Sequence, residues 1–144
     1  NDFSINVLGA IKTLQAVQNK LQNSETPSSV VFFSTVAVRT GMPFHSSVAA
    51  AKGALEGLAR SLAAELAPKI RVNVIAPSLV DTRMAEKFLN NETKKSNAAS
   101  RHPLERVGNP EEIAQMAKFL LSDHSGWMTS QTITIDGGIG SIKR

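Results

Sequence analysis

The sequence predicts an α/β domain: a parallel sheet with helices on both of its faces. Three observations carry this. Helical and strand patterns alternate along the chain, in the order helix, strand, helix, strand, polar segment, helix, strand. The run Val30, Val31, Phe32 and Phe33 is apolar on both faces, as a strand between two helical layers requires. Helices join the successive strands, and such crossovers leave neighbouring strands parallel.

Each element follows from a local pattern. Phe3, Val7, Ala10, Leu14, Val17 and Leu21 recur at spacings of three and four, one apolar stripe on a helix over 2–22. Leu8 and Ile11 widen that stripe. Residues 23–28 are polar and contain Pro27, so they read as a loop. The first strand spans 29–34. Residues 39–44 read as a turn, with Gly41 and Pro43 as breakers. Ser46 or Ser47 can cap the next helix, over 48–67. Val48, Ala51, Leu55, Leu58, Leu62 and Leu66 form its apolar face, and Pro68 ends it. Ala49, Gly53 and Gly57 form a second stripe, of small residues. Glycine inside a helix costs about 1 kcal/mol against alanine, so this stripe predicts close approach of another backbone.

The second strand covers 70–76, and residues 77–82 lead out of it, with Thr82 placed as a helix N-cap. Residues 84–100 are polar, rich in Lys and Asn and weakly periodic, which predicts a mobile segment with short helices. After a loop over 101–108, Asn109, Pro110 and Glu112 supply three helix-start signals at once. Ile113, Met116, Ala117, Leu120 and Leu121 are expected to face inward from that helix. Trp127 falls in a loop. A last strand spans 131–136, and Gly137 with Gly138 breaks it.

Composition narrows the class. A chain of 144 residues, 42% apolar and 19% charged, fits one soluble domain over 1–144 with its own core. The absence of cysteine excludes disulfides and thiolate metal sites, and it is compatible with the expected cytoplasmic location. No apolar run is long enough to span a bilayer, so no membrane role is expected. The net charge of +4 is scattered, apart from the pairs Lys94 with Lys95 and Lys143 with Arg144. With one tryptophan and no tyrosine available for base stacking, this is a solvated surface rather than a nucleic-acid interface. His45, His102 and His124 share no ligand spacing, so no metal is expected. The sequence opens on Asn1 and runs straight into a helical pattern, and the expectation is that it begins partway through a gene product.

The stretch 34–52 carries the chemistry. Ser34 and Thr35 lie at a strand's C-terminal end, where open parallel sheets bind ligands, and Lys52 lies one turn into the next helix. This segment resembles the active site of the short-chain dehydrogenase/reductase family. That family places a serine after this strand, a tyrosine thirteen residues later and a lysine four further on. Those positions hold Thr35, Val48 and Lys52. Three other runs are similar to family motifs: Asn6 to Gly9, the Pro-Leu-x-Arg-x-Gly-x-Pro-Glu-Glu run from Pro103, and Thr132 with Asp136, Gly137 and Gly138. The resemblance covers essentially the whole chain but only the C-terminal half of a family domain. The Gly-rich loop and the acidic ribose ligand of the other half are not in this sequence.

The resemblance implies a three-layer Rossmann-like fold and an oxidoreductase that uses NAD or NADP on a small carbonyl or alcohol. It implies catalytic roles for Asn6, whose carbonyl holds a water, for Thr35 and for Lys52. It implies cofactor contacts from Lys52, Pro77, Val80 and Thr82, with the Val80 backbone on the nicotinamide amide. It also implies a homodimer or homotetramer built through helices 2–22 and 48–67, and a strand edge at 29–34 left unpaired in this chain.

Val48 breaks the chemistry. Carbonyl reduction needs a hydride, a proton and stabilisation of the developing oxyanion. In the family the tyrosine gives the proton, its pKa near 10 lowered by the lysine. Valine has none to give, and Ser46 and Ser47 are far weaker acids. Histidine as a residue type is a stronger acid than serine, but His45 reads as an ordinary loop histidine. The expectation is an oxidoreductase homologue that is inactive as this polypeptide. The alternative is a truncated pseudoenzyme serving as an oligomerising or small-ligand-binding module. Whether it is an enzyme stays open at this level.

Overall fold

The middle strand of the sheet is β2 (Ile70–Pro77), and it sets the layers. The computed structural model describes residues 1–142, so Lys143 and Arg144 fall outside it. β1 (Ser28–Phe33) runs parallel along one side of β2, with Val30 opposite Val72. β3 (Thr132–Ile135) runs parallel along the other, with Ile133 opposite Ile75. Side chains alternate between the faces of a strand. Val72 and Val74 therefore share a face, where they pack on Leu14 of α1 (Gly9–Gln22) and on Ala59, Ala63 and Leu66 of α3 (Ser46–Leu66). Arg71 and Asn73 point the other way. The Arg71 guanidinium donates to the carbonyls of Leu120, Ser122 and Met128, and the Ser29 hydroxyl also donates to Leu120. These bonds seat α6 (Pro110–Leu121) on the second face and complete the three layers. Asn73 is fully buried yet satisfied: it donates to the Met128 carbonyl and accepts from the Gln131 amide. That pair fixes the entry into β3.

α6 starts as the sequence predicts. The Asn109 side chain accepts from the Glu111 amide, and the Glu112 carboxylate accepts in return from the Asn109 amide. Arg106 forks onto the same carboxylate at 2.5 and 2.8 Å. Two short helices, α4 (Glu86–Leu89) and α5 (Glu92–Ala99), form the polar segment, anchored by buried Ala85, Leu89 and Ala98. No helix among the described residues is long and apolar enough to cross a membrane.

Several local expectations are corrected. The first helix opens as a π-helical turn, Ser4–Leu8, before it becomes α1. Of its predicted stripe, Val7 and Leu14 are buried, but Phe3 and Val17 remain exposed because nothing among the described residues covers them. The start of the predicted turn is a helical turn, α2 (Ala37–Thr40), ended by Gly41 at φ +64°. Neither Ser46 nor Ser47 caps α3. His45 occupies that position, and its ring bonds the Pro43 carbonyl instead. Thr82 makes no capping bond either. Leu121 is exposed, because the helix ends there and turns away from the core.

Candidate functional site

The C-terminal ends of β1 and β2 open into a cavity of about 920 Å³. Its position follows from the topology, since loops leaving parallel strands diverge at that edge. Thr35 and Val36 enter from β1, and Pro77 to Val80 with Thr82 enter from β2. Met42 and His45 come from the loop before α3. Residues of α4 and α5 close one side, and Pro110 and Ile113 at the start of α6 close another.

The predicted residues divide into two groups. Thr35, Pro77, Val80 and Thr82 all line the cavity. Asn6, Val48 and Lys52 are not among its lining residues. Thr35 Oγ1 accepts from the Ala37 amide at 3.3 Å, which leaves its proton free to donate. The Lys52 ammonium donates to the Phe33 carbonyl at 2.7 Å, so it is tied to the end of β1. Burial holds its pKa below the ordinary lysine value. Val48 is half-buried one turn before it on α3. The Asn6 side chain donates to the Asp2 carbonyl, an ordinary intrahelical bond.

The segment after β2 is held in a defined shape. A parallel bridge joins Val80 to Gly108: the Gly108 amide donates to Leu79 and the Asp81 amide to Gly108. This pattern leaves both main-chain groups of Val80 outside the bridge, turned from Gly108. A Cβ on Gly108 would lie 3.2 Å from Val80 Cγ2, so a side chain there would need the Val80 side chain to give by a few tenths of an ångström. The free Val80 backbone and the uncommitted Thr82 hydroxyl are donors and acceptors of the type that a nicotinamide amide and a phosphate require. The residues present therefore fit such a cofactor end.

Three features were not read from the sequence. His102 is buried beneath the cavity and bridges two of its walls. Its Nδ1 lies 2.8 Å from the Ala98 carbonyl at the end of α5, and its Nε2 lies 2.8 Å from Ser78 Oγ. A carbonyl can only accept, so Nδ1 carries a proton and, in the neutral ring, Nε2 accepts from Ser78. Ser34 and Glu56 form a buried pair at 2.5 Å that joins β1 to α3. His45 lines the cavity rather than facing away from it. Its Nδ1 donates to the Pro43 carbonyl at 2.7 Å, which leaves Nε2 unpaired among the described residues. The lone signal for His102 was its place beside the Pro103 motif. Among the described residues no three His, Asp or Glu side chains are grouped to hold a metal.

Comparison with known proteins agrees with this fold. Residues 1–140 match the family model described as enoyl-(acyl carrier protein) reductase. The chain is similar to the 3-oxoacyl-(acyl-carrier-protein) reductase of Thermotoga maritima, 39% identical over 138 residues, which are 95% of this chain and 55% of that protein. It is similar to a solved short-chain dehydrogenase/reductase from Brucella melitensis, at TM-score 0.85 and 33% identity, covering 94% of this chain and 54% of that one. It is also similar to the RhlG/NADP active-site complex of Pseudomonas aeruginosa, at TM-score 0.89 and 32% identity, covering 96% and 58%. The chain thus spans about half the length of the curated relatives it matches.

Proposed function

Because this chain belongs to the short-chain dehydrogenase/reductase family, we propose that its cavity is the substrate and nicotinamide site of an oxidoreductase homologue for small carbonyls or alcohols. When bound, NAD or NADP supplies the hydride chemistry. The RhlG structure is a complex with NADP, which supports that cofactor class. In this reading Pro77, Val80 and Thr82 hold the nicotinamide end, and Lys52 serves the ribose side. Thr35 donates a hydrogen bond to the substrate oxygen without giving up its proton.

The proton-donating step is missing. Thr35 can polarise a carbonyl, but its hydroxyl is too weak an acid to replace a phenol. Val48 has no proton. The polypeptide therefore binds its ligand without carrying out the family's reduction. The observation behind this is the split of the site: four predicted residues converge on one cavity, while position 48 of α3 holds valine. The experiment is Val48→Tyr in the full-length protein, shown to be folded and to bind reduced nicotinamide. Carbonyl-dependent oxidation of the cofactor should appear. If the phenol brings none, the site has been placed wrongly.

A second reading, a binding and assembly module, is favoured by the surface of α1 and α3. Phe3, Ile5, Leu8 and Val17 are exposed, and a Cβ on Gly57 would meet nothing within 4 Å. Gly53 faces Val38 of the same chain. A homodimer or homotetramer through these helices would bury the open surface.

A further inference from the structure

We infer that the cavity selects an amphipathic anion: a ligand with an apolar body and an oxyanion head. The inference rests on the reading that this cavity binds a small ligand, and it names that ligand's class.

The charges around the cavity are one-sided. Lys87, Lys94 and Arg101 line it, and no Asp or Glu does. Asp81, Glu86 and Glu92 lie on or beside the same elements but are not among the lining residues. The ion pair found among the described residues, Arg106 with Glu112, involves none of the three cations. Their charge is thus not neutralised by an ion pair among the described residues. The Lys94 ammonium donates to the Lys87 carbonyl at 3.0 Å and to Asn90 Oδ1 at 2.9 Å, both neutral acceptors. These bonds hold it between α4 and α5. The Lys87 ammonium lies 4.9 Å from the centre of the Phe88 ring, which also lines the cavity.

Met84, Ala85, Phe88 and Ala98 add apolar lining beside the cations, and the rest of the apolar lining comes from other elements. Val36, Leu79, Val80 and Ile113 belong to the strand ends and to α6, whereas all three cations belong to residues 87–101. A cleft with charges of one sign and low-dielectric walls concentrates its field on the opposite sign. A neutral ligand would gain from the walls alone. An anion with an apolar body would gain from both. An arginine beside two lysines suits either a carboxylate or a phosphate head.

The test measures binding to the purified protein without cofactor. Octanoate, octyl phosphate and 1-octanol are titrated by calorimetry at about 50 mM salt, where exposed charges are weakly screened. At least one anion should bind about tenfold more tightly than the alcohol, the sum expected from three exposed charge contacts. The two anions show which head is preferred. In the Lys87→Gln, Lys94→Gln, Arg101→Gln triple variant the preference should fall to about twofold or less, with octanol binding unchanged. A salt series on the unaltered protein gives an independent check, since the preference should shrink by about 500 mM. Equal binding of alcohol and anions overturns the inference and leaves the cavity as a ligand site. A preference that survives the triple variant, or is insensitive to salt, also overturns it. If none of the three binds, the ligand-site reading falls as well.

Discussion

Replacing His102 by alanine should cost the chain about 3–4 kcal/mol. Two buried hydrogen bonds are lost, to Ser78 Oγ and to the Ala98 carbonyl, each contributing about 1 kcal/mol. The ring is 4% exposed and packs against Gly137, so its removal costs about a further 1–2 kcal/mol in burial and cavity terms. Ser78→Ala removes one of the two bonds and should cost about 1–2 kcal/mol, including the ring nitrogen left unpaired. Both substitutions delete the same bond, so the double variant should cost about 1 kcal/mol less than the sum. Urea unfolding of the four proteins measures this. With a slope of about 1.5 kcal/mol per molar, the His102→Ala midpoint should fall by about 2 M. Strict additivity, or a midpoint shift under about 0.5 M, would refute the claim that this ring clasps α5 to the loop after β2.

The same geometry leads to three further outcomes. Burial keeps the folded-state pKa of Lys52 below 10.5, so between the two values the unfolded chain holds more protons and stability rises with pH. Relative to Lys52→Gln, the parent should gain stability as pH rises toward 10.5, and parallel curves would contradict this. The Arg106 hydrogen bond, with that of the Asn109 amide, holds the Glu112 carboxyl down to about 2. Its contribution is complete above the ordinary value of 4.5 and is lost as pH falls toward 2, so Glu112→Gln should show a flatter acid limb in denaturation; an unchanged limb would show the pair to be inert. Light scattering at micromolar concentration should report a dimer or larger assembly, which Gly57→Leu weakens by overpacking. A well-folded monomer would exclude it.

Elements with a strong local cause were legible in the sequence. The α6 start has its cap, proline and glutamate within four residues, and each does what the pattern implies. β2 is apolar almost throughout, and the one polar side chain buried in its middle, Asn73, is satisfied by partners more than fifty residues away. Local pattern fails where tertiary contacts decide. Ser46 and Ser47 are ordinary caps by sequence, but the Pro43 carbonyl takes the His45 ring and the helix begins without them. The His102 bridge joins Ser78 to Ala98 across separate loops, and no spacing rule predicts it. In the site, Thr35, Pro77, Val80 and Thr82 were identified by family spacing and share one cavity. The same spacing named Lys52, yet its ammonium rests on the Phe33 carbonyl, a contact that depends on how α3 docks against β1.

The proposed loss of turnover at Val48 is tested most directly by following reduced-nicotinamide absorbance. The purified protein is mixed with NADH or NADPH and a panel of small ketones and aldehydes. The expected result is no carbonyl-dependent loss of absorbance above the background without protein. A steady rate that disappears in Lys52→Ala would contradict it, because the site would then work without the phenol. If that rate also disappeared in His45→Ala, the cavity histidine would be the acid that Val48 cannot be.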